Sequence, residues 1–116
     1  MKQSLTNETT LKINDWFFRH GIFSWRQNTG GMWDPGKRQF RASNKVGVSD
    51  IIAILPPVGR FLGVEVKTGK DKLRPEQEGF GKNVEKMGAK YIVVKDYFDF
   101  LQKIQKIYLS IFDTKA

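Results

Sequence analysis

The 116-residue chain has no cysteine and a single histidine, His20. Disulfides, thiolate zinc sites and a cysteine nucleophile are therefore excluded. One imidazole also rules out His-rich metal sites and disfavours Ser-His-Asp chemistry. Any bound metal must take oxygen ligands, which suits hard ions such as Mg²⁺, Mn²⁺ or Ca²⁺. Long apolar runs are missing too: none approaches the roughly 20 residues of a membrane span, and "MKQSLTNETTLKIND" lacks the apolar core of a signal peptide. The expectation is a soluble, cytoplasmic protein with no membrane partner. Acidic residues are scarce, 12 Asp+Glu against 20 Lys+Arg, giving a net charge of +8 and a pI near 9.8. That excess favours a polyanionic partner, because cationic side chains displace counterions condensed on nucleic acid. Many small soluble domains are nevertheless basic without binding anything.

What is present is an ordinary globular balance, 40% hydrophobic and 28% charged, which predicts one domain over residues 1–116. Leu11, Ile13, Trp16, Phe17 and Phe18 predict an amphipathic helix from about Asn7 to His20, stopped by Gly21. "IFSWRQN" reads as a strand, "TGGMWDPGK" as a turn region and "RQFRAS" as a shorter returning strand. "DIIAIL" and "RFLGVEVK" form two strands joined by "PPVG", followed by the basic loop "TGKDKL". Pro75 suits the first turn of a helix whose stripe is Phe80, Val84 and Met87 and whose end is Gly88. "KYIVVK" is a further strand, and Asp96 caps a last helix striped by Leu101, Ile104, Ile107, Tyr108 and Ile111. The α-β-β-β-α-β-α order predicts an α/β fold, a mixed sheet with helices covering both faces.

Within that pattern "GRFLGVEVKTGK" places Glu65 and Lys67 in a strand otherwise built for burial. The preceding hairpin centres near residues 57–58, so reflection brings Asp50 opposite Glu65 or one residue away, with Cβ atoms about 5 Å apart. Glu65 and Lys67, two apart on one strand, share a face. Two carboxylates so close repel unless a cation lies between them. A Glu65–Lys67 or Asp50–Lys67 ion pair is the alternative, although burial rarely tolerates charges without a use.

"GVSDIIAI" followed by "FLGVEVKTGKDKLRPEQEGF" resembles the PD-(D/E)xK nuclease core, a restriction-endonuclease-like fold, and more specifically the virus-type replication-repair nuclease (VRR-NUC) domain. "WRQNTGG" and "KMGAKYIVV" extend the resemblance over roughly residues 8–100. It implies a DNA endonuclease that uses Mg²⁺ or Mn²⁺. Asp50 and Glu65 would be metal-binding carboxylates, the Val66 carbonyl a third ligand and Lys67 the catalytic lysine. Gln77 and Glu8 match further site positions, Glu8 as a metal-binding carboxylate on the first helix. The residue types open alternatives for both: a helix-start hydrogen bond for Gln77, and a solvent-facing carboxylate favoured by the helix dipole for Glu8. Arg26, Asn28, Arg41, Lys45, Ser49, Lys70, Lys72 and Arg74 are candidate DNA contacts, although a turn role for "NTGG" is equally open. Trp16, Trp25 and Trp33 read as core or interface. Where the family often has Ser before the Pro of "PEQ", this chain has Arg74, which removes a capping acceptor and adds a cation. Stand-alone members resemble Holliday-junction resolvases, which implies a homodimer on branched DNA, a phage or prophage origin and no small-molecule substrate. Flap-type or sequence-specific cleavage, or a non-catalytic DNA-binding domain, are the alternatives. An RNA-binding protein would need interleaved basic and aromatic motifs that this chain lacks.

Overall fold

Ser4 starts the first helix by accepting the Asn7 N–H on its hydroxyl at 3.0 Å, which satisfies one of the donors a helix start leaves orphaned. The computed structural model describes residues 4–27, 32–34, 36–41 and 47–112. In chain order the elements are α1 (Leu5–Arg19), β1 (Phe23–Arg26), β2 (Met32–Asp34), β3 (Gln39–Arg41), β4 (Ile51–Leu55), β5 (Arg60–Val66), α2 (Pro75–Lys86), β6 (Lys90–Val94) and α3 (Tyr97–Phe112). The main sheet has the order β1-β4-β5-β6. Its first three strands are antiparallel, and β6 joins β5 in parallel after the crossover through α2. In this sheet the expected α-β-β-β-α-β-α order holds. Inserted between β1 and β4 is a separate antiparallel ribbon, β2 with β3, so Met32–Asp34 is a strand where the sequence suggested only turn.

Strand alternation divides this sheet into two chemically different faces. On one lie Ile51, Ala53, Leu55, Leu62, Val64, Val66 and Val94, packed against Ile13 and Phe17 of α1 and Phe100, Ile104 and Ile107 of α3, all buried. Each large apolar side chain so buried contributes about 1.5–3 kcal/mol. Phe100 sits at the centre, with Trp16, Phe17 and Tyr97 at ring-centroid distances of 5.3, 5.4 and 6.1 Å. The buried side of α1 is Thr9, Thr10, Ile13 and Phe17, while Phe18 is 81% exposed and Leu11 42%. At 100° per residue Leu11 and Phe18 fall on the opposite side of the helix from Ile13, so they do not join the expected core stripe. Met87 is likewise exposed, and Ile111 lies where side chains are outside the described residues.

The other face is set out in rows by the pairing register. Gln27 reaches Asp50 through its backbone N–H (2.8 Å to the Asp50 carbonyl oxygen). Asp50 precedes the Ile51↔Val64 pair and so stands opposite Glu65, which itself pairs with Val93. The next row is Trp25, Ile52, Gly63 and Tyr91, and the one after begins Phe23, Ile54 and Phe61. Helix α2 covers the β6 end of this face, whereas Phe23 at the β1 end is 71% exposed.

Candidate active site

Asp50 and Glu65 meet where β4 begins and β5 ends. The Asp50 Oδ2 accepts the Val66 N–H at 2.7 Å, which fixes the carboxyl against the strand that carries Glu65. Glu65 is 1% exposed and its Oε1 has no hydrogen-bond partner. Burial is the main reason its pKa is pushed from an ordinary 4.5 up to about 9; the hydrogen bond and charge of the adjacent Asp50 carboxyl add to the shift, and the charges of Lys67 and Arg74 oppose it. A buried carboxyl with an empty oxygen beside a second carboxyl is an arrangement folding alone would not select.

Lys67 follows β5 directly, and its backbone N–H continues the pairing to the Val94 carbonyl at 2.9 Å. The C=O and N–H of one peptide group point to opposite sides of a strand, so the Val66 carbonyl, which shares its peptide with that N–H, faces the β4 side, the side of Asp50. The Lys67 side chain is half-buried on the Glu65 face. The ion pairs of the described residues include Arg19–Asp15, Arg74–Glu76 and Lys103–Asp99. Neither Asp50 nor Glu65 is closed off by Lys67, contrary to the simple ion-pair alternative.

Three segments hold this corner together. Gly47, at φ +88°, passes so close to α2 that an added Cβ would lie 2.4 Å from the Glu76 carbonyl oxygen, which locks the approach to Asp50 against the first turn of α2. Gln77 is buried in that turn, and its Oε1 accepts the Arg74 N–H at 2.9 Å, the helix-start role. Thr6 of α1 hydrogen-bonds the Thr68 hydroxyl just beyond Lys67. Glu8, two residues along α1, is exposed. Among the described residues no three His, Cys, Asp or Glu side chains gather closely enough to share one ion, so Glu8 is not brought into the carboxylate pair. Together with the Val66 carbonyl, the Asp50 and Glu65 carboxylates make an oxygen set matched to a hard divalent cation.

The expected basic border is only partly assembled. Lys70, Lys72 and Arg74 are exposed on the loop between the Lys67 strand and α2. Arg26 pairs with Ile51 and therefore leaves the sheet on the core face, at its exposed edge, rather than beside Glu65. Ser49 is fully buried and donates to the Ile51 carbonyl at 3.2 Å, so it cannot touch a duplex in this arrangement. Asn28 and Lys45 lie outside the described residues, as does the Arg41 side chain. Two residues that sequence reasoning missed share the carboxylate face: Gln27, in the same row as Asp50, and Tyr91, one row on. Gln27 was legible as the next alternate position after Trp25; Tyr91 required the parallel β5–β6 register.

Comparison with known proteins bears on the family and the fold. The family model for the VRR-NUC domain matches residues 10–97. A solved structure described as a VRR_NUC domain superposes with a TM-score of 0.67 at 22% identity, covering 89% of this chain and 97% of the other. A second, described as a VRR_NUC domain protein, gives 0.59 at 21% identity, covering 91% and 89%. No curated protein matches the sequence. With the family model spanning most of the chain and the shared fold beside it, the chain belongs to the VRR-NUC family, a nuclease-type domain.

Proposed function

We propose that the protein is a divalent-cation-dependent DNA endonuclease that hydrolyses phosphodiester bonds at the Asp50–Glu65–Lys67 corner. The observation that carries this is the buried Glu65 carboxyl, with an unpartnered oxygen, beside Asp50 and two residues from a half-buried lysine. Asp50, Glu65 and the Val66 carbonyl would hold Mg²⁺ or Mn²⁺, which supplies charge neutralisation for a nonbridging phosphate oxygen. Lys67 orients the attacking water or stabilises the charge that develops as the new P–O bond forms and the bond to the departing sugar oxygen breaks. Lys70, Lys72 and Arg74 contact phosphates and position the duplex without reading its sequence. Gln77 acts through the α2 start, holding Arg74 in place.

For the substrate we infer branched DNA cut by a homodimer, since two symmetric sites suit a symmetric junction. The exposed Leu11 and Phe18, on one side of α1, supply an apolar stripe for such a pairing. The test offers labelled four-way, flapped and linear duplexes side by side with Mg²⁺, Mn²⁺ or EDTA. Metal-dependent nicking of the junction alone is expected, with Lys67→Ala lowering the rate roughly 10²–10⁴-fold and Glu65→Gln abolishing it. Cutting of flaps or linear duplex would move the substrate assignment. Binding without cutting under every metal would leave a DNA-binding scaffold.

A further inference from the structure

Strand β6 carries a tyrosine in a slot made by two glycines. Tyr91 stands beside Gly63 in the parallel register, and its ring lies beneath α2 at Gly81. A Cβ on Gly81 would sit 2.5 Å from the ring, and one on Gly63 would sit 3.3 Å from it. Phe80 adds an edge-to-face contact at 6.0 Å. The ring is thereby held on the face that presents Glu65 one row away.

Packing does not account for its hydroxyl. The Tyr91 oxygen is buried and has no hydrogen-bond partner. A buried, unsatisfied hydroxyl is destabilising, and phenylalanine would fill the same slot without that cost. Among the described residues one other buried side-chain polar atom is in the same condition: the Oε1 of Glu65. One of the two is a donor and the other an acceptor, they lie on adjacent rows of one face, and the charges of Glu65 and Asp50 are felt at the tyrosine oxygen. Burial first, then those charges, holds the Tyr91 pKa above its ordinary value, so the group keeps its proton and remains a donor.

We propose that Tyr91 is a positioning residue of the cation site, its hydroxyl donating to the Glu65 carboxylate or to a cation-bound water and so fixing the orientation in which Glu65 binds. This rests on the cation reading of the Asp50–Glu65 pair. Donors behind ligating carboxylates set ligand orientation, and their loss typically weakens metal binding or activity by about 10–100-fold.

The test is Mn²⁺ binding by isothermal titration calorimetry on the wild type, Glu65→Gln and Tyr91→Phe proteins, with thermal unfolding of each in EDTA. Tyr91→Phe should bind Mn²⁺ about tenfold or more weakly while its unfolding temperature in EDTA holds or rises. An affinity equal to wild type, with binding lost in Glu65→Gln, would overturn the role of Tyr91 and leave the cation site standing. A wild-type protein that takes up no Mn²⁺ would overturn both. A purely structural tyrosine would lower the unfolding temperature without changing the affinity, and that result too would reject the proposal.

Discussion

At the scale of single residues, Glu65 links site chemistry to stability. Without a cation its folded-state pKa of about 9 lies above the ordinary 4.5, so the folded chain keeps a proton that the unfolded chain releases. The stabilisation is fully present below pH 4.5 and is lost as pH rises through about 9. Denaturant titrations in EDTA should show stability falling across that window, and Glu65→Gln, which cannot ionise, should flatten the fall. A slope unchanged in the mutant would mean that the carboxyl is not held neutral. The pairing of Asp50 with Glu65 was legible in the sequence, because a short hairpin lets each residue's partner be counted from its centre. Tyr91 was not, since its neighbour is set by a parallel crossover whose register no local spacing records. The helix-start hydrogen bond of Gln77 was one of the two readings its residue type allowed, and Arg74 supplies the N–H that it accepts.

Among the elements, α2 shows how a common helix rule can reverse. Gly79 and Gly81 both lie inside it; an added Cβ meets nothing within 4 Å at Gly79 and the Tyr91 ring at 2.5 Å at Gly81. Gly79→Ala should therefore stabilise by up to about 1 kcal/mol, the usual helix gain. Gly81→Ala should destabilise by about 1–3 kcal/mol through overpacking. Urea unfolding of the two variants separates these effects, and equal shifts would show that the slot is slack. Strands and helices were readable from alternation, glycine stops and Pro75 because those signals are local. The facing of α1 was harder to read: Thr9 and Thr10 are buried while Phe18 is exposed, an arrangement set by which side of the helix meets the sheet rather than by hydrophobicity. Of the ribbon, β3 was legible in "RQFRAS", while β2 escaped notice because a strand of three residues leaves too short a pattern to distinguish from a turn.

Over the whole molecule, a net charge of +8 predicts DNA binding that weakens steeply with salt. Replacing Lys70 and Lys72 with glutamine should reduce the slope of log affinity against log salt by about 0.9 for each phosphate that is no longer neutralised. Unchanged slopes in filter binding or fluorescence anisotropy would show that this loop does not grip the backbone. Phe100→Ala, remote from the carboxylates on the opposite side of the sheet, should cost about 3–5 kcal/mol of stability while leaving cleavage by the surviving folded fraction intact. The separation behind that contrast has an evolutionary consequence. In β5, Leu62, Val64 and Val66 serve the core, while Gly63 and Glu65, with Lys67 just beyond the strand, serve the opposite face. Descendants of this chain can exchange one alternate set for solubility or temperature and the other for chemistry, with little interference between the two. Such lineages should instead be sensitive to length: one residue inserted or deleted between Leu62 and Glu65 would turn the carboxylate toward Phe17 and Phe100 and bring a valine to the corner beside Asp50.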